Sequence, residues 1–290
     1  DVNLSDRNVS ASRLAEDLGL DFVMKSKSAI LSKDGKGVRV NMMESASGTT
    51  LSDLKREIAT ANSKVDDIRS AELAKMQQVI KKNPEKIKEI EDFINNNFKR
   101  IELCYTPKAL GQIMQMQVFD LIIGNVDRHA ANYHVNVDKS DPYKWLITDI
   151  QAIDNDMSFG NMSADEMESG EIGRLIPIMR KNGVTIPALD EEFYDNLMNY
   201  SVEELRKSQF DLRSEDELDA LESRFKRVKE SLAKLVEAGD VKLIKKDDSG
   251  GWKTAFESLQ KMRNEKNGSR YSSDNSRQDT YFLSGIGFAE

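Results

Sequence analysis

The chain has 290 residues, with 42 Lys and Arg against 50 Asp and Glu, for a formal net charge of -8. A charged fraction of 32% and a mean hydropathy of -0.57 exclude a chain built mainly of membrane-spanning helices, and the acidic balance argues against nonspecific nucleic-acid binding. The length suits one large domain or two lobes around a cleft. Cys104 is the only cysteine, so no intrachain disulfide can form. That pattern fits a reducing compartment, either the cytoplasm or the site of action of a secreted effector. The thiol itself is expected to be an inert core group. No apolar run approaches the ~20 residues of a membrane helix. The start has no signal-peptide pattern and no initiator Met, so further residues are expected before Asp1.

In chain order, residues 8–19 predict a helix, with Val9, Ala11, Leu14, Ala15 and Leu18 as its apolar stripe and Gly19 as its stop. Two β-like runs follow at 28–32 and 38–43, joined by Asp34 and Gly35, a good hairpin turn. Small residues at 42–48 then break the pattern. Residues 53–100 are charged and helical in spacing, with Leu73, Met76, Val79 and Ile80 in one stripe. Asn83 before Pro84 reads as an N-cap with a first-turn proline. Ile87, Ile90 and Ile94 continue a stripe beyond it. The stretch is expected to be a helical insertion with a solvated outer face.

Thr106 and Pro107 open a further helix whose Leu110, Ile113, Met114, Val118, Leu121 and Ile122 require burial. It stops at Gly124. Tyr133 to Val137 and Trp145 to Ile150 read as strands around a turn at 139–142. Beyond Gly160 the pattern is helical. Ser163 with Glu166, Ser201 with Glu204, and Ser214 with Glu217 form capping boxes. Leu218, Leu221, Phe225, Val228, Leu232 and Leu235 make a long stripe. Residues 264–280 are polar and read as a mobile loop or tail.

Two short segments carry chemistry. Residues 125–132 are Asn-Val-Asp-Arg-His-Ala-Ala-Asn, and residues 153–160 are Ile-Asp-Asn-Asp-Met-Ser-Phe-Gly. In the first, Asp127 can orient a hydroxyl proton, and the Asn132 amide oxygen can ligate a metal without adding charge. In the second, Asp154 can bridge magnesium to nucleotide phosphates. Phosphoryl transfer needs this division of labour, because its catalysis is mostly positioning and charge neutralisation. Magnesium keeps several waters, so two protein ligands suffice. Asp149 and Asp156 are rival ligands to Asp154.

The loop DRHAAN resembles the catalytic loop of the atypical kinases, including phosphatidylinositol 3- and 4-kinases and HipA-like kinases. AIDNDMSFG (residues 152–160) is similar to the metal-binding segment of type II phosphatidylinositol 4-kinases and Fam20-like kinases. The helix before the loop, and the SASRLAEDLGL helix with its hairpin, extend the resemblance over residues 8–52 and 105–160. The resemblance implies a two-lobed α+β protein-kinase-like fold, with a small, partly β N-lobe and a mostly helical C-lobe. Residues 1–52 would be a partial N-lobe with helix, hairpin and hinge, and 53–104 the insertion. Residues 105–262 would be the C-lobe, and 263–290 a polar loop or tail. It implies Asp127 as catalytic base and His129 beside the transferred phosphoryl group or bracing the loop. Asn132 and Asp154 would hold magnesium, and Arg128 would be structural. ATP would place its adenine against backbone near Met43, Glu44 and Ala46. The families' phosphate-covering loop and lysine precede the first N-lobe helix, and are expected upstream of Asp1 unless the N-lobe is altered. The glutamate that pairs with that lysine aligns with Asn8.

A loop acid beside an arginine is often only an ion pair. The two histidines, His129 and His134, lack a zinc-like partner set. The sequence thus predicts an ATP- and magnesium-dependent kinase acting on a hydroxyl, with protein Ser/Thr as first substrate. The alternatives are a catalytically silent nucleotide-binding pseudokinase serving as an interaction module, or a phosphoinositide kinase. An acidic protein is drawn less to anionic membranes.

Overall fold

The computed structural model describes residues 4–169, 186–210, 214–267 and 286–289. Helix α1 (Leu4–Asp17) buries Ala11 and Leu14 completely. It ends where Gly19 turns left-handed at φ 73, the conformation glycine adopts without steric cost. Strands β1 (Ser26–Lys33) and β2 (Lys36–Met43) form an antiparallel two-stranded sheet closed by Lys33 and Lys36. Asp34 and Gly35 have φ values of 53 and 73. This is the doubly left-handed turn that matches strand twist in a tight hairpin. The hairpin is tied to α1 by the Ser26 N–H donating to Ser12 Oγ at 2.9 Å, and by Arg39 at 3.2 Å from Asp6.

The chain then crosses to a second sheet. Gly48 has φ 76, and a Cβ there would lie 2.2 Å from the Val135 carbonyl oxygen, so only glycine fits. Strand β3 (Thr49–Thr50) leads into α2 (Leu51–Lys82), whose N-cap Thr50 accepts the Asp53 N–H. Leu51 and Leu54 are fully buried, while Leu73 and Val79 are exposed. Helix α2 therefore meets the core through its first turns, and the expected stripe of Leu73, Met76, Val79 and Ile80 lies outside the core. Asn83 closes α2, its backbone N–H donating to Val79, and also holds the expected N-cap position of a 3-10 turn (Pro84–Lys86) with Pro84 in its first turn, though its side chain makes no capping hydrogen bond; α3 (Ile87–Asn97) follows. Pro84 cannot donate a helical hydrogen bond, so the two helices separate here.

Strand β4 (Glu102–Tyr105) precedes α4 (Pro107–Ile123). Thr106 caps α4, accepting the Ala109 N–H, and Gly124 ends it at φ 65. Residues 109–123 of α4 are all buried, as a helix apolar on nearly every face requires. Strands β5 (Tyr133–Asp138) and β6 (Lys144–Ala152) follow as an antiparallel pair, with a register shift at Asn136 and Val137. Later come α5 (Ala164–Ser169), β7 (Ala188–Asp190), α6 (Glu191–Asn199), α7 (Val202–Gln209), α8 (Glu215–Glu237), β8 (Lys242–Ile244), α9 (Ser249–Asn267) and β9 (Ile286–Phe288). The main sheet runs β3-β5-β6-β4-β9. All three expected capping boxes form.

The chain is a mixed α+β protein in which helices outweigh small sheets. Of residues 263–290, read as a polar tail, the first five continue α9 and Ile286–Phe288 pair with β4. Residues 268–285 lie outside the described residues. Ile286 is buried beside Leu103, so apolar burial at the sheet edge draws this end in. Among the described residues no helix is long and apolar enough to cross a membrane.

Candidate functional site

Helix α4 delivers the Asp127 loop from a buried base. At its end the Asn125 N–H donates to the Asp120 carbonyl, and Asn125 Oδ1 accepts the Asp127 N–H at 2.9 Å. This local turn fixes where the Asp127 side chain leaves the backbone. The side chains of Asp127 and His129 are half exposed, 50% and 52%, with His129 Nε2 at 3.8 Å from Asp127 Oδ2. His129 Nδ1 accepts the Ala131 N–H at 3.2 Å. Asn132 is buried, and its Nδ2 donates to the Asp127 carbonyl at 2.8 Å. A longer contact of 3.4 Å joins the same amide to Asp127 Oδ2.

Residues 153–160 run alongside this loop. The Ile153 N–H donates to Asn132, the Val126 N–H to Met157, and the Phe159 N–H to Ile123. Asp154 is exposed and held at φ 56, a conformation that costs a non-glycine residue of order 1 kcal/mol or more. Asp156 is half-buried. Burial first, and then the neighbouring Asp154 and Asp127 carboxylates, push its carboxyl above the usual range. The structure thus gathers Asp127, Asp154 and Asp156 into one field of negative charge.

Arg128 locks the two segments together. Its guanidinium forks onto Asp120 with two contacts of 3.0 Å. It also donates to the carbonyls of Asn132 and Ile153 at 2.8 Å, and to Asn155 Oδ1. The Arg128 and Asp120 side chains are 1% and 3% exposed. The reading of Arg128 as structural describes what it does, but the sequence did not reveal Asp120 or Asn155 as its partners. Arg224 on α8 braces the same turn from below. It donates to the carbonyls of Ile122, Gly160 and Met162. Burial pushes its guanidinium down to about 10, so it stays charged against the negative end of α4. Helix α1 joins from a third side, with Asn8 Oδ1 accepting the Asn155 N–H at 2.8 Å.

Other expected residues sit apart from this cluster. Asp149 is ion-paired with Lys108 at 2.7 Å and accepts from Gln112 at 2.8 Å. These commitments leave Asp154 and Asp156 as the better metal candidates. Met43 and Glu44 are exposed and Ala46 is half-buried. The Glu44 N–H donates to Lys25 at 2.9 Å. No described contact joins Met43, Glu44 or Ala46 to the Asp127 loop. Their links are indirect, through Ser47, whose N–H donates to Gln151 at 2.6 Å, and through Lys25 and its neighbour Met24, the Met24 N–H donating to Ala152 at 3.1 Å. Gln151 lies three residues before Asp154. Cys104 is buried, and burial with Glu102 pushes its thiol up to about 11, so it is no nucleophile.

A hard divalent cation fits the oxygen donors at Asp154, Asp156 and Asn132. Asn132 Oδ1 takes no hydrogen bond among the described residues, and Asp156 is destabilised by like charges that a cation would relieve. Among the described residues no group of three or more His, Cys, Asp or Glu side chains forms a metal cage. A cation with few protein ligands and several waters, as magnesium prefers, meets both observations. No protein-family model and no curated protein matches the chain.

Proposed function

We propose that the chain is an atypical kinase, an ATP- and magnesium-dependent phosphotransferase that phosphorylates a hydroxyl, with protein Ser/Thr as first substrate. The observation that carries this reading is the Arg128 clamp. It holds the loop of Asp127 and Asn132 against the segment of Asp154 and Asp156 through buried contacts of 2.8 to 3.0 Å. The outcome is an exposed acid able to orient a hydroxyl, beside carboxylates able to hold a metal. Rigid support of this kind is what phosphoryl transfer asks of a protein.

In this reading Asp127 accepts the proton of the attacking hydroxyl. His129, half exposed beside it, faces the transferred group. Asn132 and Asp154 hold magnesium, which supplies charge neutralisation at the phosphates. The two-lobed arrangement belongs to the same proposal, with α1 and the hairpin as remnants of the upper lobe and Met43, Glu44 and Ala46 as the adenine edge.

Asn8 favours the second reading, a catalytically silent nucleotide-binding module. The position where related kinases carry a lysine-pairing glutamate is here a neutral amide, spent on the Asn155 N–H. Incubation of full-length protein with labelled ATP and a cell lysate separates the two. Wild type transfers label, and Asp127→Ala loses at least ~100-fold, as expected for a general base. Asp127→Ala keeps nucleotide binding. Binding without transfer in wild type selects the silent module, and equal loss of binding and transfer removes Asp127 from the base role.

A further inference from the structure

At the opposite end of α4 lies a cleft of about 340 Å³ that shares no residue with the Asp127 loop. That volume suits a small molecule. Its α4 wall is a polar stripe, Lys108, Gln112 and Gln115, on a helix otherwise almost wholly apolar. Gly111 sits within the stripe. A Cβ there would stand 3.2 Å from the Trp252 ring, so the glycine lets the indole pack closely at the cleft wall.

The ionisable groups around the cleft are unbalanced. Asp21, Asp190, Glu192 and Asp247 face it with only Lys108 and Lys246. Both lysines are already engaged, Lys108 with Asp149 at 2.7 Å and Lys246 with Glu192 at 2.8 Å. Asp21 receives one long hydrogen bond, 3.5 Å from Gln112. The Asp247 side chain accepts none among the described residues. Asp190 is 2% exposed. It caps α6 through Oδ1 at 2.9 Å from the Phe193 N–H, while its Oδ2 has no hydrogen-bond partner among the described residues. Burial pushes the Asp190 carboxyl above the usual range in spite of nearby Lys246.

Gln115 is a second group without a protein partner among the described residues, its amide reached from the cleft. It is 7% exposed, on the cleft wall, and its amide makes no hydrogen bond among the described residues. A buried polar atom without a partner, as Asp190 Oδ2 is among the described residues, costs about 1–3 kcal/mol, and each such case calls for an explanation. Here the unmet capacity is for donors and positive charge, since the carboxylates exceed the lysines and the lysines are taken.

We propose that this cleft binds a small organic cation, an ammonium or guanidinium group carried on a short apolar body. The charged head meets Asp21, Asp247 and the Gln115 carbonyl, in the field of the Asp190 carboxyl buried beneath them, and the body lies against Trp252 and Phe193. The site is independent of the phosphotransfer reading, and its test requires no turnover.

The test is calorimetric titration of full-length protein with phenethylammonium, compared with its neutral and anionic counterparts, phenethyl alcohol and hydrocinnamate. Phenethylammonium binds at least about tenfold more tightly than the alcohol, a difference of about 1.4 kcal/mol, and hydrocinnamate does not bind. Gln115→Leu, which keeps the side-chain volume, weakens phenethylammonium at least about fivefold. The pair Asp21→Asn with Asp247→Asn, both at exposed positions, does the same without disturbing the fold, as circular dichroism checks. The proposal is overturned if the alcohol binds equally well, if hydrocinnamate binds better, or if these substitutions leave binding unchanged. It is also overturned if none of the three binds, which would mean that the cleft holds only water.

Discussion

Asp156 shows how a single residue reports on the site. Its carboxyl is raised by burial and by Asp154 and Asp127, so the folded state holds that proton more tightly than the unfolded chain. Between the ordinary carboxylate value of 3.8 and the raised one, folding takes up a proton and stability falls as pH rises. Above that window the penalty is complete. Asp156→Asn therefore raises the metal-free melting temperature near neutral pH, and the gain vanishes as pH drops below the ordinary carboxylate range. Magnesium shrinks the gain, because the wild-type carboxylate then has a cation to neutralise it. Melting curves across pH, with and without magnesium, check this. A gain that persists in acid would count against like-charge repulsion as the cause. Asp154, beside it, adds backbone strain at φ 56, and residues held in that region cluster at functional sites.

At the scale of elements, α4 works as a rod with a turn fixed to its end. The Arg128 fork binds Asp120 in its last turn, and the same guanidinium reaches residues 153 and 155. Breaking a buried pair by removing one partner leaves an uncompensated charge and costs about 3–5 kcal/mol. Arg128→Met is expected to lose that much in denaturant unfolding, and Asp120→Leu a similar amount. The double variant is expected to lose clearly less than the sum. Additive losses would mean that the two side chains do not act as one clamp. Much of this element-level picture was legible in the sequence, because the signals are local: Thr106 with Pro107 to start α4, Gly124 to end it, Asp34 with Gly35 for the hairpin, and three Ser–Glu capping boxes. Asn83 with Pro84 was legible as the start of a 3-10 turn, but not as the end of α2, because an Asn-Pro pair can close one helix as well as open the next. The polar stripe on α4 was masked by the apolar residues that outnumber it.

Across the whole molecule, what escaped the sequence is what long-range contact decides. Nothing near residue 286 announces that Ile286–Phe288 pairs with Leu103, Cys104 and Tyr105. Nothing in α8 marks Arg224 as the brace for a turn 102 residues away. The candidate site itself was half legible. Asp127, Asn132 and Asp154 lie in two short motifs, and the structure sets those motifs side by side, whereas Met43, Glu44 and Ala46 connect to them indirectly, through Ser47 with Gln151 and through Lys25 and Met24 with Ala152. The same folding commits Asp149 to Lys108 and Gln112 in the first half of α4. The most direct measurement is the melting temperature of full-length protein with magnesium and ATP. A ligand that binds only the folded state at a hundredfold excess over Kd adds about 2.7 kcal/mol. A magnesium-dependent rise is expected in wild type, in Asp127→Ala and in Asp149→Asn, and its loss in Asp154→Ala. No rise in wild type, or a rise that survives Asp154→Ala and disappears in Asp149→Asn, would contradict that expectation.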